Sequence, residues 1–165
     1  MASAKELEQR IQYLEDVEAI RNLKMLYGQV CDQGYDPVKL STMFTDDAEF
    51  NLNEKGTTQT SKGKEAITER FLLMPKRIEF AVHYFIQQTK ITIEGNTATA
   101  SWLMWTPQTL AGGQSVFSSG IERDVYEKVD GKWLFKKTTL DVLFRAPYGK
   151  GWGDVKLAPP PADKI

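Results

Sequence analysis

The spacing of apolar residues changes character along the chain, and this change constrains the fold. Apolar residues recur every three or four positions from Ala4 to about Cys31, which predicts a long amphipathic helix. Its apolar stripe consists of Leu7, Ile11, Leu14, Val17, Ile20, Leu23, Tyr27 and Val30. From Phe80 onward β-branched and aromatic residues dominate, and turn signals recur at the spacing of strands. Helices followed by strands predict an α+β domain in which helices cover one face of an antiparallel sheet.

Turn signals divide the middle of the chain into shorter elements. Gly34 marks the end of the first helix, because a glycine commonly follows the last helical turn. A third helix is expected from Gly63 to just before Pro75. Between these helices the sequence predicts, in order, a short helix at residues 38–44, a strand at 48–52 and a turn or hairpin at 53–62.

The second half of the chain is expected to form an antiparallel meander of four long strands joined by short loops. These strands are predicted at residues 80–93, 97–108, 115–129 and 132–145. A strongly bent sheet wrapped around the first helix leaves a cavity at its open end. Residues 146–165 show no periodicity and are expected to be a loop-like tail.

Length, charge and cysteine content exclude several classes of function. The 165 residues are expected to form a single domain. Lys and Arg (21) nearly balance Asp and Glu (22) and are spread along the chain, so no nucleic-acid or membrane partner is expected. The N-terminus lacks a signal-peptide pattern, which favours a cytoplasmic location. The single cysteine, Cys31, is interpreted as a buried hydrophobe, and with one histidine and no clustered ligands no metal or other cofactor is expected.

The only histidine, His83, is the first candidate for a general base. Histidine is the side chain whose ordinary pKa lies nearest to neutrality, as a base working at neutral pH requires. The alternative is that a histidine among Val82, Tyr84 and Phe85 is an ordinary core residue. The residues alone leave both interpretations open.

Four segments of the chain resemble the SnoaL-like branch of the nuclear transport factor 2 superfamily, and the resemblance covers nearly the whole chain. These segments are residues 20–32 (IRNLKMLYGQVCD), 45–50 (TDDAEF), 82–84 (VHY) and 126–133 (YEKVDGKW). Within that branch the chain is similar to bile-acid 7α-dehydratases, lindane dehydrochlorinases, scytalone dehydratases and polyketide cyclases. The resemblance implies a cone-shaped α+β fold, with a curved antiparallel sheet around a long N-terminal helix.

The resemblance also implies a catalytic dyad formed by His83 and Asp32, with Tyr27 as an assisting hydrogen-bond donor. An aspartate bonded to one imidazole nitrogen fixes the tautomer, so the other nitrogen can take a proton from carbon. On an ideal helix Asp32 points well away from Tyr27. Asp32 is therefore expected to face the pocket only if the helix loosens near Gly34.

The pocket wall is predicted from aromatic and basic residues on the long strands. Thr106 stands where the bile-acid dehydratases carry an acidic residue, which disfavours a bile acid and favours a flat aromatic or polycyclic substrate. An inward-pointing Arg123 would polarise a carbonyl or phenolate, whereas an outward one would belong to a solvated strand face. Arg145 lies a few positions from the arginine of the last strand in the family. The proposed apolar walls are Trp102, Met104, Trp105, Phe117 and Phe144, for which ordinary core packing is the alternative.

The reaction implied by the resemblance is cofactor-free lysis of a small hydrophobic substrate. Proton abstraction from carbon followed by loss of a group covers dehydration, dehydrohalogenation and retro-aldol cleavage, including cleavage of lignin-derived diarylpropanes. An isomerase or polyketide cyclase would use the same dyad and retain all atoms. A non-catalytic ligand-binding or oligomerisation module is the alternative from another class. The resemblance also implies a homo-oligomer, either a dimer or a trimer.

Overall fold

The computed structural model describes residues 2–148, so the tail predicted for residues 146–165 lies largely outside the described residues. Residues 2–148 form three α-helices and a short 3-10 helix: α1 (Ala4–Asp32), α2 (Pro37–Ser41), α3 (Gly63–Leu73) and the 3-10 helix Met74–Lys76. The strands are β1 (Phe44–Glu54), β2 (Thr57–Lys62), β3 (Ile78–Ala81), β4 (Tyr84–Gln87), β5 (Thr92–Glu94), β6 (Thr97–Leu110), β7 (Ser115–Val129) and β8 (Lys132–Pro147). The predicted α+β class is confirmed.

The strands form one curved, open sheet in the order β2-β1-β8-β7-β6-β3, with β4 and β5 also pairing with β6. Among the strands of residues 2–148, all pairs are antiparallel except β1 with β8. The β7–β8 register shifts at Gly120 and again at Val125, and such bulges bend a strand. A Cβ on Gly120 would lie 2.8 Å from the Asp141 carbonyl oxygen, so the close approach of the two strands requires glycine there.

Helix α1 begins and ends with recognisable capping structures. Its N-terminus is a capping box, in which the Glu6 backbone N–H donates to Ser3 Oγ at 3.2 Å and the Ser3 N–H donates to the Glu6 carboxylate at 2.7 Å. At the C-terminus Gly34 has a left-handed φ of 99°, and the Tyr35 N–H donates to the Val30 carbonyl at 3.1 Å. The helix is therefore regular through Asp32 and ends immediately before Gly34, near which it was expected to loosen if Asp32 faces the pocket.

The apolar stripe of α1 is buried in its second half alone. Val17, Ile20, Tyr27 and Val30 lie in the core, which α1 shares with the sheet. The first three positions of the predicted stripe are exposed instead: Leu7, Ile11 and Leu14. No helix among residues 2–148 is long and apolar enough to cross a membrane.

The prediction of one long strand at residues 80–93 is wrong, because three short strands, β3, β4 and β5, occupy that region. All three pair with β6, and His83 lies in the gap between the first two. The Val82 N–H donates to the Pro107 carbonyl at 3.2 Å, but Pro107 has no N–H to return the bond. The ladder is therefore interrupted beside His83.

Candidate functional site

His83 and Asp32 lie 51 residues apart in the chain and are in direct contact in the fold. Asp32 is the last residue of α1, and its Oδ1 atom lies 2.7 Å from His83 Nδ1. The same oxygen accepts the backbone N–H of His83 at 2.8 Å. Because a carboxylate can only accept, the contact assigns the ring proton to Nδ1 and leaves the Nε2 lone pair available as a base. The proximity predicted for this pair is present, and the catalytic role of the pair stays a prediction.

Tyr35 contacts the other side of the imidazole. Its hydroxyl oxygen lies 3.4 Å from His83 Nε2, and the two rings meet edge to face with centroids 5.9 Å apart. Burial raises the pKa of the Tyr35 phenol well above its ordinary value, and the nearby Cys31 and Asp32 raise it further. The phenol therefore remains protonated at neutral pH and can donate a hydrogen bond.

Tyr35 was not predicted as a site residue from the sequence, and its backbone conformation in the structure is unusual. Tyr35 follows Gly34 at the end of α1 and has a φ of 59°, a left-handed conformation that is unusual for an aromatic residue. Such conformations cost on the order of 1–3 kcal/mol and persist where the surrounding structure holds them. An aromatic residue immediately after a helix-ending Asp-Gln-Gly run was the available hint.

Tyr27, the donor predicted from the resemblance, lies in an aromatic cluster. Its ring contacts four phenylalanines at centroid distances of 5.4 to 6.4 Å: Phe44, Phe71, Phe85 and Phe135. Burial raises the pKa of the Tyr27 phenol well above its ordinary value, so it too stays protonated. Among the described contacts, Tyr35 and not Tyr27 bonds the imidazole.

We define the inner face of the sheet as the face covered by α1. Strand β6 contributes side chains to this face. Side chains alternate along a strand, and alternate positions of β6 are buried. These inner-face positions change from apolar to polar along the strand: Ala98, Ala100, Trp102, Met104, Thr106 and Gln108. Trp102 donates to the Tyr126 hydroxyl at 3.0 Å and belongs to the deep core. Met104, next to Thr106 on the same face, keeps the position expected of a pocket wall.

Three of the predicted aromatic walls lie on the opposite, outer face of the sheet, so their predicted placement in the pocket is wrong. The Trp105 ring packs on Phe117 and Phe144, with centroids 5.5 and 5.7 Å apart. Each lies one position away from an inner-face residue, and one position reverses the face of a strand. Arg123 also points outward, where it is exposed and forms an ion pair with Asp141.

Arg145 lies on β8 directly across from Ser118, an inner-face residue of β7. Its Nε donates to Ser118 Oγ at 3.2 Å, and its Nη1 lies 3.3 Å from a carboxylate oxygen of Glu54. Burial is the main cause that raises the pKa of Tyr35, whereas the positive charge of Arg145 lowers this pKa. The positive charge of Arg145 therefore partly offsets the effect of burial on the Tyr35 phenol.

The strand register aligns four polar side chains in one row across the inner face. Ala81 pairs with Gln108 and Tyr84 pairs with Trp105, so His83 lies opposite Thr106. Thr106 pairs with Ser118, and Ser118 pairs with Arg145. Cross-strand partners share a face of the sheet, and neighbouring strands lie about 4.8 Å apart. We call this set the polar row: His83, Thr106, Ser118 and Arg145.

Two buried polar atoms, one in the polar row and one beside it on β6, have no hydrogen-bond partner among residues 2–148. They are the hydroxyl oxygen of Thr106 and the amide oxygen of Gln108, and their residues are 0% and 7% exposed. Leaving a buried polar group unpaired costs roughly 1–3 kcal/mol. Sequence reasoning predicted an apolar pocket, whereas this part of the inner face is polar.

A buried ion-pair network lies deeper along the inner face. Lys24 forms ion pairs with Glu122 and Asp124, and its Nζ lies 2.8 Å from Asp124 Oδ2. Tyr126 donates to the same Asp124 oxygen at 2.8 Å. Burial alone would lower the pKa of Lys24, but the two carboxylates outweigh burial and raise it. Burial raises the pKa of Glu122, while the positive charge of Lys24 opposes that rise.

No cluster of three or more His, Cys, Asp or Glu side chains suited to a metal ion occurs in the part of the chain that the structure describes. Cys31, interpreted from sequence as a buried hydrophobe, is buried at 2% exposure. Burial raises the pKa of its thiol well above the ordinary value, which disfavours the reactive thiolate.

The chain matches a known sequence family. A family model described as a SnoaL-like domain matches residues 12–139. A comparison with curated proteins gave no significant match.

Three solved structures illustrate the likeness in fold. A type 2 hexachlorocyclohexane dehydrochlorinase (LinA) is 21% identical, with a TM-score of 0.76 and coverage of 92% of this chain and 98% of that chain. A nuclear transport factor 2-like protein with a cystatin-like fold from Novosphingobium aromaticivorans is 25% identical, with a TM-score of 0.70 and coverage of 96% and 99%. A protein from the same species, provisionally assigned as a scytalone dehydratase, is 18% identical, with a TM-score of 0.71 and coverage of 82% and 89%.

Proposed function

The chain belongs to the SnoaL-like domain family, and from that premise we propose that it is a lyase that works with its own side chains and without a cofactor. The substrate class is a small, largely hydrophobic molecule that carries an acidic C–H bond next to a leaving group. Relatives of similar fold include a dehydrochlorinase and a provisionally assigned dehydratase, and both reactions remove a proton from carbon and a group from its neighbour.

The single observation that carries this proposal is the contact between Asp32 and His83. Asp32 holds the Nδ1 side of the ring, so Nε2 is directed away from the carboxylate. A base oriented in this way is typical of general acid–base catalysis. The second bond from Asp32, to the His83 backbone, fixes the position of the whole residue as well as its ring.

In the proposed reaction His83 Nε2 removes a proton from a substrate carbon. The electrons of that C–H bond form a double bond as the leaving group departs with its bonding pair. The imidazolium, stabilised by Asp32, then returns the proton to the leaving group or to solvent. Retro-aldol cleavage uses the same base on a hydroxyl proton, after which a carbon–carbon bond breaks.

We assign two further groups to the stabilisation of the oxygen or halogen on which charge develops. The Tyr35 phenol contacts Nε2 and is the donor that the described contacts favour, with Tyr27 as the second candidate. The Arg145 guanidinium lies at the other end of the polar row and supports an oxyanion electrostatically. In this assignment Trp102 supports the core, and Met104 is the apolar wall nearest to the polar row.

A product-mass experiment tests the proposed function. The purified chain would be incubated separately with a β-hydroxy ketone, a polychlorinated cyclohexane and an arylpropane diol, and the products analysed by mass spectrometry. A lyase product is lighter than its substrate by water, hydrogen chloride or formaldehyde. A product of unchanged mass would instead identify an isomerase or cyclase, and saturable binding without turnover across the panel would identify a binding module.

Replacing Tyr35 with Phe is expected to lower turnover by about 10- to 100-fold, because a hydrogen bond to a charged group contributes roughly 1.5–3 kcal/mol. The ring packing against His83 is retained, so the melting temperature should change little. Tyr27→Phe is the matched control, and steady-state kinetics of both variants on the substrate found above provides the measurement. A larger loss in Tyr27→Phe than in Tyr35→Phe would assign the donor role to Tyr27.

A further inference from the structure

The inner face of β6 carries two acceptor atoms that no other residue in the described part of the chain bonds. Thr106 and Gln108 are neighbours on the inner face of β6, two positions apart and about 6.6 Å along the strand. The Thr106 hydroxyl oxygen and the Gln108 amide oxygen are buried without a partner among the described residues. Buried polar atoms are almost always paired, so two unpaired atoms on one stretch of strand indicate that another molecule bonds them.

The remaining side chains of the polar row have hydrogen-bond partners, and these form one pair at each end of the row. Ser118 accepts a hydrogen bond from Arg145, and His83 is bonded to Asp32. Thr106 lies between these two pairs in the cross-strand register, and Gln108 lies one step further along β6, opposite Ala81. A molecule lying along the row would therefore contact Nε2 of His83 and the unpaired oxygens together.

The charges around the row define what kind of group the unpaired oxygens can bind. The Gln108 amide oxygen can only accept a hydrogen bond, so its partner must carry a proton. An anion has no proton to donate, and Arg145 opposes an ammonium group at short range. A neutral hydroxyl satisfies both conditions, and the Thr106 hydroxyl can donate to it or accept from it.

We propose that Thr106 and Gln108 are the specificity-determining residues of the site and select substrates that carry a hydroxyl group. The substrate class is a hydroxylated aromatic carbonyl compound, with its hydroxyl at Thr106 and Gln108 and its carbonyl oxygen toward Arg145. This inference rests on the proposed function for the role of His83 and adds to it the group by which the substrate is recognised.

Equilibrium binding of two matched probes tests the proposal. The probes are para-hydroxyacetophenone and para-methylacetophenone, which differ in a hydroxyl against a methyl of similar size, and NMR titration of the full chain gives both dissociation constants. The wild type is expected to bind the hydroxyl probe at least about fivefold more tightly, which is within the range of one or two neutral hydrogen bonds. Equal affinity for the two probes, or no binding of either, would overturn the proposal.

Variants of similar shape identify the residues responsible for the preference. Thr106→Val and Gln108→Met should each reduce the hydroxyl preference to about twofold or less while leaving the affinity for the methyl probe unchanged. Thr106→Val removes a buried hydroxyl that no residue among 2–148 bonds, so the melting temperature of the variant should be equal to or higher than that of the wild type. Thr109→Val, on the next and outward-facing position of β6, is the control and should keep the full preference. A preference that survives in both inner-face variants would overturn the assignment.

The readout separates this inference from the proposed function. Failure of the lyase proposal would appear as a product of unchanged mass, as binding without turnover, or as turnover that does not depend on His83, whatever the hydroxyl preference. Failure of the present inference would appear as indifference to the hydroxyl group, whatever the turnover.

Discussion

His83→Ala is expected to lower kcat/KM by about 10²–10⁴-fold, the range typical of a lost general acid–base group. The loss follows from the geometry, because Nε2 of this ring is the nitrogen that Asp32 leaves free. The fold should survive, since the backbone N–H that bonds Asp32 belongs to position 83 whatever its side chain. The measurement is steady-state kinetics on the substrate identified from product mass, with circular dichroism to verify folding.

The control for this variant is Tyr84→Phe, a change at the next residue on an exposed side chain. It should retain wild-type kcat/KM. Turnover within about threefold of wild type in His83→Ala would contradict the assignment of the base. A variant that keeps ligand affinity but loses turnover supports catalysis, whereas a wild type with affinity and no turnover supports a binding module.

Lys24→Met is expected to destabilise the fold by about 3–5 kcal/mol, because it leaves two buried carboxylates without their counter-charge. Lys24, Glu122 and Asp124 are all buried, with exposures of 0%, 2% and 2%. For a domain of this length, each kcal/mol lowers the melting temperature by about 2–4 °C. Thermal unfolding followed by circular dichroism provides the measurement.

The loss in Lys24→Met should also depend on pH, with a sign that follows from Glu122. Burial raises the pKa of Glu122 in the folded protein, and removal of Lys24 takes away the charge that opposes this rise. The folded state then binds the proton more tightly than the unfolded state, so stability falls as pH rises above the unfolded pKa. The variant should therefore be more stable near about pH 5 than near about pH 8.

The exposed ion pair of Lys64 with Asp46 supplies the control for this effect. Their atoms lie 2.6 Å apart, but the Asp46 side chain is 94% exposed. Lys64→Met should cost no more than about 1 kcal/mol, as is typical of surface pairs. Equal losses in Lys24→Met and Lys64→Met would show that the buried network does not contribute in the way proposed.

Much of the fold could be predicted from local sequence signals. The α1 boundaries, the hairpin of β1 and β2 and the extent of β7 follow from periodicity and turn residues, and the structure confirms them. The contact of Asp32 with His83 was expected from the family resemblance, because periodicity gives no reason for two positions so far apart to meet. Single-domain organisation, a cytoplasmic location and a homo-oligomer stay predictions.

The face of each strand was harder to predict than its bounds. Residues 102–105 of β6 are all apolar, so the alternation that normally marks the buried face is absent there. Trp105 was consequently placed in the pocket, although Trp102 and Met104 face inward and Trp105 faces outward. The burial of Lys24 was not predicted, because a charged residue is normally expected at the surface. Its position, four residues after Ile20 on the buried side of α1, indicates burial, and the side chain is buried.

One oxygen atom of Asp32 joins the end of α1 to both the backbone and the ring of His83. The imidazole is therefore mechanically coupled to the helix as well as to the sheet edge. A shift of α1 relative to β6 would carry the base with it, and so change the distance between Nε2 and any molecule resting on Thr106. Substitutions far along α1 can therefore alter the reaction rate without contacting a bound molecule, because they shift the helix and with it the imidazole.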